Sequence, residues 1–500
     1  MNRRHFIATL GAASTALAQR DVEEITVSGI HSSFRSGQWT AKTLTQEYLR
    51  RIDALDKRGP RINAVIEINP DALATAESLD RDRAAKRLKG PLHGIPVLLK
   101  DNIDTADKMQ TTAGSLALSG HVAAADAALV ARLRAAGAVI LGKTNLSEWA
   151  NFRSTHSVSG WSARGGQTKN PYALDRNPSG SSSGSGAAAA ANLCAIAVGT
   201  ETDGSITSPA SMNSLVGIKP TVGLIPGAGI IPIAKSQDTA GPMTRTVEDA
   251  ALLLGVMAGK DYTSALEPNG LKGARLGVAR KYFGNNAGVD KLIESRLEDL
   301  RKLGAELIDP VELPANSKIR EPEFEVLLYE FKDGLNTYLR SVSTGSVRSL
   351  RDLIAFNEKN REREMPIFGQ EILVMAEKKS DLQEKAYLDA LSASQKSAKQ
   401  NGIDAAISKH RLDAIVCPTT GPAWLIDPVA GDHDTGDCTT PAAVAGYPHI
   451  TVPAGFVHGL PIGLSFFGPA NSEDVLIGLA FSFEQATKAR RSPKYLPHAS

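Results

Sequence analysis

Hydrophobic positions recur at helical spacing over residues 40–57 and 70–89, which predicts two amphipathic helices. In the second, Asn69 is the candidate N-cap, Pro70 takes the first helical position, and Lys89-Gly90-Pro91 ends it. Ile95 to Leu99 breaks the pattern: a short, unbroken apolar run bounded by Gly94-Ile95-Pro96 and Asp101-Asn102 predicts a buried strand that delivers Lys100 at its end. A helix over 127–136 and a strand over 138–142 follow, then a helix over 186–191 and a strand over 195–198. Thr246 and Asp249 stand at capping-box spacing before a helix that runs to Gly259. Beyond it the pattern gives a strand over 276–279, helices over 289–303 and 439–444, and late strands over 412–417, 450–453 and 462–467. Alternation of this kind predicts an α/β fold with a covered sheet. Residues 320–399 read as charged helices with solvated outer faces.

Composition narrows this little. The 500 residues carry a net charge of +2 with dispersed basic side chains, which argues against nucleic acid as a partner. No Pro/Ser-rich linker or charge block divides the chain, so one large domain is expected over 19–500, with a helical insertion at about 320–400. Residues 1–18 read as a signal peptide: Arg3-Arg4-His5-Phe6-Ile7 precedes an apolar stretch, and Ala16-Leu17-Ala18 is a cleavage site. The paired arginines point to twin-arginine export, a periplasmic or secreted location, and a mature form without a membrane span. Cys194, Cys417 and Cys438 lack metal-ligand spacing, and Cys194 is expected as an inert core residue of the alanine helix.

Chemistry concentrates between Pro178 and Ala210. Pro-Ser-Gly-Ser-Ser-Ser-Gly-Ser-Gly has almost no side-chain bulk, so its backbone could approach a ligand closely. A phosphate loop would need Lys-Ser or Lys-Thr after its last glycine, and here Gly186 is followed by five alanines. A flexible linker would not run straight into an apolar helix. A second exposed turn, Gly199-Thr-Glu-Thr-Asp-Gly-Ser-Ile206, follows the strand.

Those serines, that turn and Gly217-Ile-Lys-Pro-Thr221 resemble the amidase signature family. The resemblance extends upstream through Gly94-Ile-Pro-Val-Leu-Leu-Lys-Asp-Asn-Ile103, Leu141-Gly-Lys-Thr-Asn145 and Gly160-Trp-Ser162, and downstream through Ser236-Gln-Asp-Thr-Ala-Gly-Pro-Met243. It implies a single αβα domain with a mixed, mostly parallel central sheet. It also implies hydrolysis of linear amides without metal or cofactor, acting as monomer or homodimer on a small-molecule or peptide amide. C-terminal peptide amides are the expected substrate. Alternatives are small aliphatic or aryl amides, a glutamine-hydrolysing component of an amidotransferase, and a catalytically silent binding protein on the same scaffold.

By the same resemblance Ser205 is the nucleophile, Ser181, 24 positions earlier, the bridging serine, and Lys100 the base. Ser182 competes with Ser181. A serine hydroxyl needs such a base at neutral pH, and the leaving amine needs a proton. A lysine emerging from an apolar strand suits this, because burial favours the neutral amine. Backbone N–H groups of Thr202, Asp203, Gly204 and Ser205 are the expected oxyanion hole, with the Asp203 carboxylate structural. No histidine sits in a nucleophile elbow or a His-Glu-x-x-His motif. His93, His410, His433 and His449 are expected as packing or surface groups, and Glu148 and Asp238 as residues that could orient loops near the site.

Overall fold

The computed structural model describes residues 22–342 and 345–499; the expected signal peptide lies outside the described residues. Its strands are β1 (Val65–Ile68), β2 (Pro96–Lys100), β3 (Val139–Thr144), β4 (Trp161–Ser162), β5 (Gly166–Gln167), β6 (Ile196–Glu201) and β7 (Val216–Lys219). After these come β8 (Thr239–Thr244), β9 (Arg275–Val278), β10 (Glu306–Ile308), β11 (Ala414–Pro418), β12 (His449–Val457) and β13 (Leu460–Phe467). Among the described residues eleven of them form one sheet in the order β1-β3-β2-β6-β8-β7-β12-β13-β11-β9-β10, while β4 and β5 make a separate ribbon.

The mixed sheet covered by helices is as expected, but parallel pairing does not predominate along it. It occurs where β2 lies beside β3 and β6, and where β9 lies beside β10 and β11. Antiparallel ladders fill the middle from β6 through β8, β7, β12 and β13 to β11. All residues of β2, β3, β6 and β8 are buried; with both faces covered, the apolar runs that open β2, β3 and β6 show no alternation with polar side chains. Strands β7 and β8 escape the sequence pattern because glycine, proline and threonine dilute it. Gly241 is required in β8, since a Cβ there would lie 1.9 Å from the Ile218 carbonyl oxygen.

Several helix ends differ from expectation. The helix expected from Pro70 runs Ala72–Ala84 with Asp71 at its N-cap. Asn69 instead accepts the Asp71 N–H at 2.9 Å and donates to the Ile140 carbonyl at 2.8 Å, tying the turn to β3. Thr246 caps Val247–Ala258 as expected, but the Asp249 carboxylate turns away to accept the Val27 N–H at 2.9 Å, so the box is half formed. The charged central stretch is helical, chiefly Ser317–Ser341, Leu350–Lys359 and Lys385–Ala398, and its apolar faces pack Leu328, Phe331 and Leu335 with Trp149 and Phe152.

The glycine/serine segment is less of a loop than its composition suggests. The helix Ser183–Ala190 begins inside it, with every residue buried. Small side chains let this helix lie against neighbouring backbone: a Cβ on Gly184 would stand 2.3 Å from the Ala64 carbonyl oxygen and 2.4 Å from that of Asn145. Cys194 falls beyond the helix, in the turn before β6, where burial pushes its thiol up to about 12.

Intrinsic propensity favours alanine over glycine inside a helix by about 1 kcal/mol. At Gly184 the sign should reverse, because the methyl group forces two backbone strands apart. Gly184→Ala should lower the thermal midpoint by several degrees in a calorimetric scan, and an unchanged or raised midpoint would contradict the packing described.

Candidate active site

The sheet delivers Lys100 at the end of β2, wholly buried. Its Nζ lies 2.7 Å from Ser181 Oγ, 2.9 Å from Thr200 Oγ1 and 3.2 Å from the Thr200 carbonyl oxygen. Three acceptors satisfy an ammonium. A neutral amine fits equally well, donating to both Thr200 oxygens while its lone pair receives the Ser181 hydroxyl proton. Desolvation brings the amine down to about 7, against an opposing pull from Asp238 and Glu201.

The three consecutive serines separate by partner. Ser181 follows a cis peptide bond after Gly180 and faces Lys100. Ser182 Oγ instead donates to the Thr200 carbonyl at 3.0 Å and accepts the Thr200 N–H at 3.2 Å, which fastens the segment to β6. Ser183 opens the helix and exchanges a 3.3 Å hydrogen bond with Ser147. The Ser182 N–H also donates to the Ser205 carbonyl at 3.2 Å, so the turn carrying Ser205 lies against the segment carrying Ser181. Ser205 is 8 % exposed, and among the described residues its hydroxyl has no hydrogen-bond partner.

Residues on both sides lock that turn. Glu201, at the end of β6, accepts the N–H groups of Ile206 at 2.7 Å and Thr207 at 2.9 Å. The Thr202 hydroxyl donates to Asp238 at 2.5 Å, and Asp238 in turn accepts from the N–H groups of Ile233 and Ala234. The Asp203 carboxyl takes the hydroxyls of Thr439 and Thr440 at 2.6 and 2.7 Å, and burial with the nearby Asp437 pushes it up to about 6. Gly204 adopts φ +76, in the left-handed region where glycine carries no Cβ penalty. Among the described residues the backbone N–H groups of Asp203, Gly204 and Ser205 have no acceptor.

Two cavities flank the turn. The larger, of about 430 Å³, touches Gly180, Asp203, Gly204, Arg320, Glu323 and Trp424. The smaller, of about 310 Å³, touches Thr200, Thr202 and Asp238 and is otherwise mostly apolar. Asn151 lines the first and Ala150 the second. Both belong to a left-handed turn, Trp149-Ala150-Asn151, with φ of 50, 55 and 70, a conformation costing on the order of 1–3 kcal/mol per residue. Trp149 N–H to the Ala113 carbonyl at 3.0 Å and Asn151 Nδ2 to Ser159 Oγ at 3.1 Å hold it in place. Behind it, buried Arg153 pairs with Glu148 and donates to the Glu364 carbonyl at 2.7 Å; Glu148, desolvated and beside Glu364, is pushed up to about 8.

The histidines stand apart from this cluster. His93 is buried and braces a helix end, with Nε2 2.9 Å from the Leu79 carbonyl and the Lys89 N–H donating to Nδ1. His449 is buried beside Ser465 at 2.6 Å, and His410 and His433 are not buried. Among the described residues no group of three His, Cys, Asp or Glu side chains is placed to hold a metal ion. Sequence reasoning passed over Thr200, Glu201 and Asn102, whose Nδ2 donates to Thr200 Oγ1 at 3.0 Å. Thr200 and Glu201 stood in the quoted turn motif, but nothing in a linear sequence shows which side chains point back at Lys100.

Comparison with known proteins agrees with this arrangement. The amidase family profile matches residues 43–477. The crystal structure of native peptide amidase from Stenotrophomonas maltophilia superposes with a TM-score of 0.90 at 52% identity, covering 95% of this chain and 99% of that one. A "probable amidase" of Arabidopsis thaliana is 44% identical across 98% of this chain and 96% of its own length. A glutamyl-tRNA(Gln) amidotransferase component of Pseudomonas aeruginosa is 36% identical, with 93% and 98% covered. Fold and family together define a hydrolase acting on carbon–nitrogen bonds of linear amides. The chain belongs to the amidase signature family, and the bacterial peptide amidase is among its near structural neighbours.

The lowered Lys100 value has a consequence for stability. The unfolded lysine titrates near 10.4 and the folded one near 7, so between these values the unfolded chain holds the extra proton and stability rises with pH. Lys100→Met removes that contribution. Urea titrations from pH 7 to 10 should show wild type gaining up to a few kcal/mol relative to the variant, and a constant difference across the range would contradict a lowered value.

Proposed function

We propose that this amidase works through an acyl-enzyme on Ser205, with Ser181 passing the proton between Ser205 and Lys100. The observation that carries the reading is the buried Lys100 Nζ at 2.7 Å from Ser181 Oγ, beside a turn whose serine hydroxyl is free. In acylation the Ser205 oxygen bonds to the amide carbon while its proton moves to Ser181, whose own proton goes to the Lys100 lone pair. Reversing that relay protonates the nitrogen as the C–N bond breaks. Water then enters by the same relay and releases the acid. The unsatisfied N–H groups of Asp203, Gly204 and Ser205, with Thr202 beside them, are the donors for the oxyanion, each worth about 2.7–4 kcal/mol in such sites.

The substrate we infer is a C-terminally amidated peptide, deamidated to acid and ammonia. Support comes from the 52% identity to peptide amidase and from a cavity of about 430 Å³ at the turn, roomy enough for a peptide end. Glutamine is the rival, given the likeness to the amidotransferase component. Ammonia release from peptide amides, aliphatic amides and glutamine separates them, and activity confined to glutamine would overturn the peptide-amide reading. The residues Arg3-Arg4 and Ala16-Leu17-Ala18 further support export, with removal of residues 1–18.

Two outcomes are expected. With a base that loses its proton near pH 7, kcat/KM should rise with pH through that value. Lys100→Arg should lose several orders of magnitude, since a guanidinium stays charged, and Ser205→Ala should resist stoichiometric labelling by a serine-directed acylating reagent. Wild-type-like turnover in Lys100→Arg, or full labelling of Ser205→Ala, would remove the proposed roles. For export, N-terminal sequencing of periplasmic protein should begin near Gln19, and an intact N-terminus confined to the cytosol would refute it.

A further inference from the structure

The smaller cavity is not needed to release ammonia. Its wall is built mainly from Ile225, Pro226, Ile230, Ile231 and Ile233, with exposed Lys235 also lining it, and encloses about 310 Å³, far more than an ammonia molecule fills. Three features connect it to the reacting groups. Thr200, whose Oγ1 accepts from Lys100 Nζ at 2.9 Å, is part of its lining. Thr202 and Asp238, joined at 2.5 Å and bracing the Ser205 turn, line it too. Asn102 completes this end: it is 3 % exposed, its Nδ2 donates to Thr200 Oγ1 at 3.0 Å, and among the described residues its Oδ1 has no hydrogen-bond partner.

The left-handed turn at Trp149-Ala150-Asn151 contributes Ala150 to this cavity and Asn151 to the larger one, and the two spaces touch different residues of the Ser205 turn, Thr202 in the smaller and Asp203 and Gly204 in the larger. A scissile amide also has two sides. Its nitrogen must sit where the Ser181–Lys100 relay can protonate it, and the smaller cavity is lined by Thr200, the direct hydrogen-bond partner of Lys100. A buried carbonyl oxygen without a donor is costly to leave unmade, and an amide N–H would supply the donor.

We infer that the smaller cavity receives the amine half of the substrate, so the enzyme cleaves secondary amides bearing an apolar substituent on nitrogen as well as primary ones. This rests on the catalytic reading above. In the step, the Ser205 Oγ–C bond forms and the C–N bond breaks. The Ser205 proton travels through Ser181 and Lys100 to the nitrogen, and a neutral primary amine departs into the apolar cavity; water later hydrolyses the ester. Gly227 is part of the lining, and an added Cβ there would meet no atom within 4 Å, so a larger side chain has open space to enter.

The test is kcat/KM for N-acetylphenylalanine amide against its N-butyl, N-benzyl, N-(2-aminoethyl) and N,N-dimethyl derivatives. The butyl and benzyl amides should fall within about tenfold of the primary amide, and the aminoethyl and dimethyl ones about a hundredfold or more below it, since one brings an ammonium among isoleucine and proline side chains and towards Lys235, and the other leaves Asn102 Oδ1 without a donor. Benzylamine should inhibit turnover of the primary amide far better than ethylenediamine. Gly227→Phe should lower the benzyl-to-primary ratio about tenfold, with circular dichroism confirming its fold; the wild-type series and the amine inhibition stand without that variant. Turnover of the primary amide with none of the butyl or benzyl amides, or equal rates for butyl and aminoethyl, would overturn this inference alone. No turnover of any member would overturn the catalytic reading and this inference with it.

Discussion

The structure depends on keeping one amine dry. An exposed lysine is protonated at neutral pH; the fold removes Lys100 entirely from water, which brings it down to about 7. That requirement places it at the end of a strand buried on both faces, between β3 and β6. It also requires that every proton on the amine find an acceptor, which Ser181 and both oxygens of Thr200 provide. Without them, desolvation would leave an unpaired polar group in the interior.

Close approach of backbone follows from the same requirement. Ser181 Oγ lies against Lys100 while the Ser182 N–H meets the Ser205 carbonyl, so β6, the segment before the Ser183–Ala190 helix and the Ser205 turn crowd into a small volume. The chain meets this with glycine, alanine and serine. Gly184 leaves no space for a methyl group, and a Cβ on Gly199 would stand 2.7 Å from Ser182 Oγ. Ser182 is then a structural fastener whose hydroxyl closes both hydrogen-bonding groups of Thr200. Three adjacent serines thus serve three different ends, and their partners decide which.

Acidic side chains around the turn do another kind of work. Glu201, Asp203 and Asp238 each accept two or more hydrogen bonds from the loops that fix Ser205. Burial pushes Asp203 and Asp238 up to about 6, so near neutral pH they are ionised only against a desolvation cost, which their donors offset. The arrangement braces the turn while, among the described residues, the N–H groups of Asp203, Gly204 and Ser205 keep no acceptor.

What the sequence by itself determined is whatever local periodicity or a contiguous motif encodes. The apolar run before Lys100, the alanine-rich helix, the Thr246 cap and most of the sheet strands are legible because burial on both faces leaves a continuous signature. The motifs shared with the amidase signature family also pointed to Lys100, Ser181 and Ser205, and the structure brings Lys100 and Ser181 to 2.7 Å from each other. The helical central stretch was legible too, though not what it packs against. Tertiary structure decided the rest. Strands β7 and β8 form despite glycine and proline because neighbours on both sides supply the ladder. Asn69 and Asp249 have cap-like spacing but bond to distant backbone instead. The separation of Ser181 from Ser182, the bracing by Glu201 and Asp238, and the two cavities divided at Ala150 and Asn151 all rest on contacts between segments far apart in the chain. Such contacts leave no periodic trace, since each is set by where the packed sheet and helices bring the segments, and not by the residues beside them in sequence.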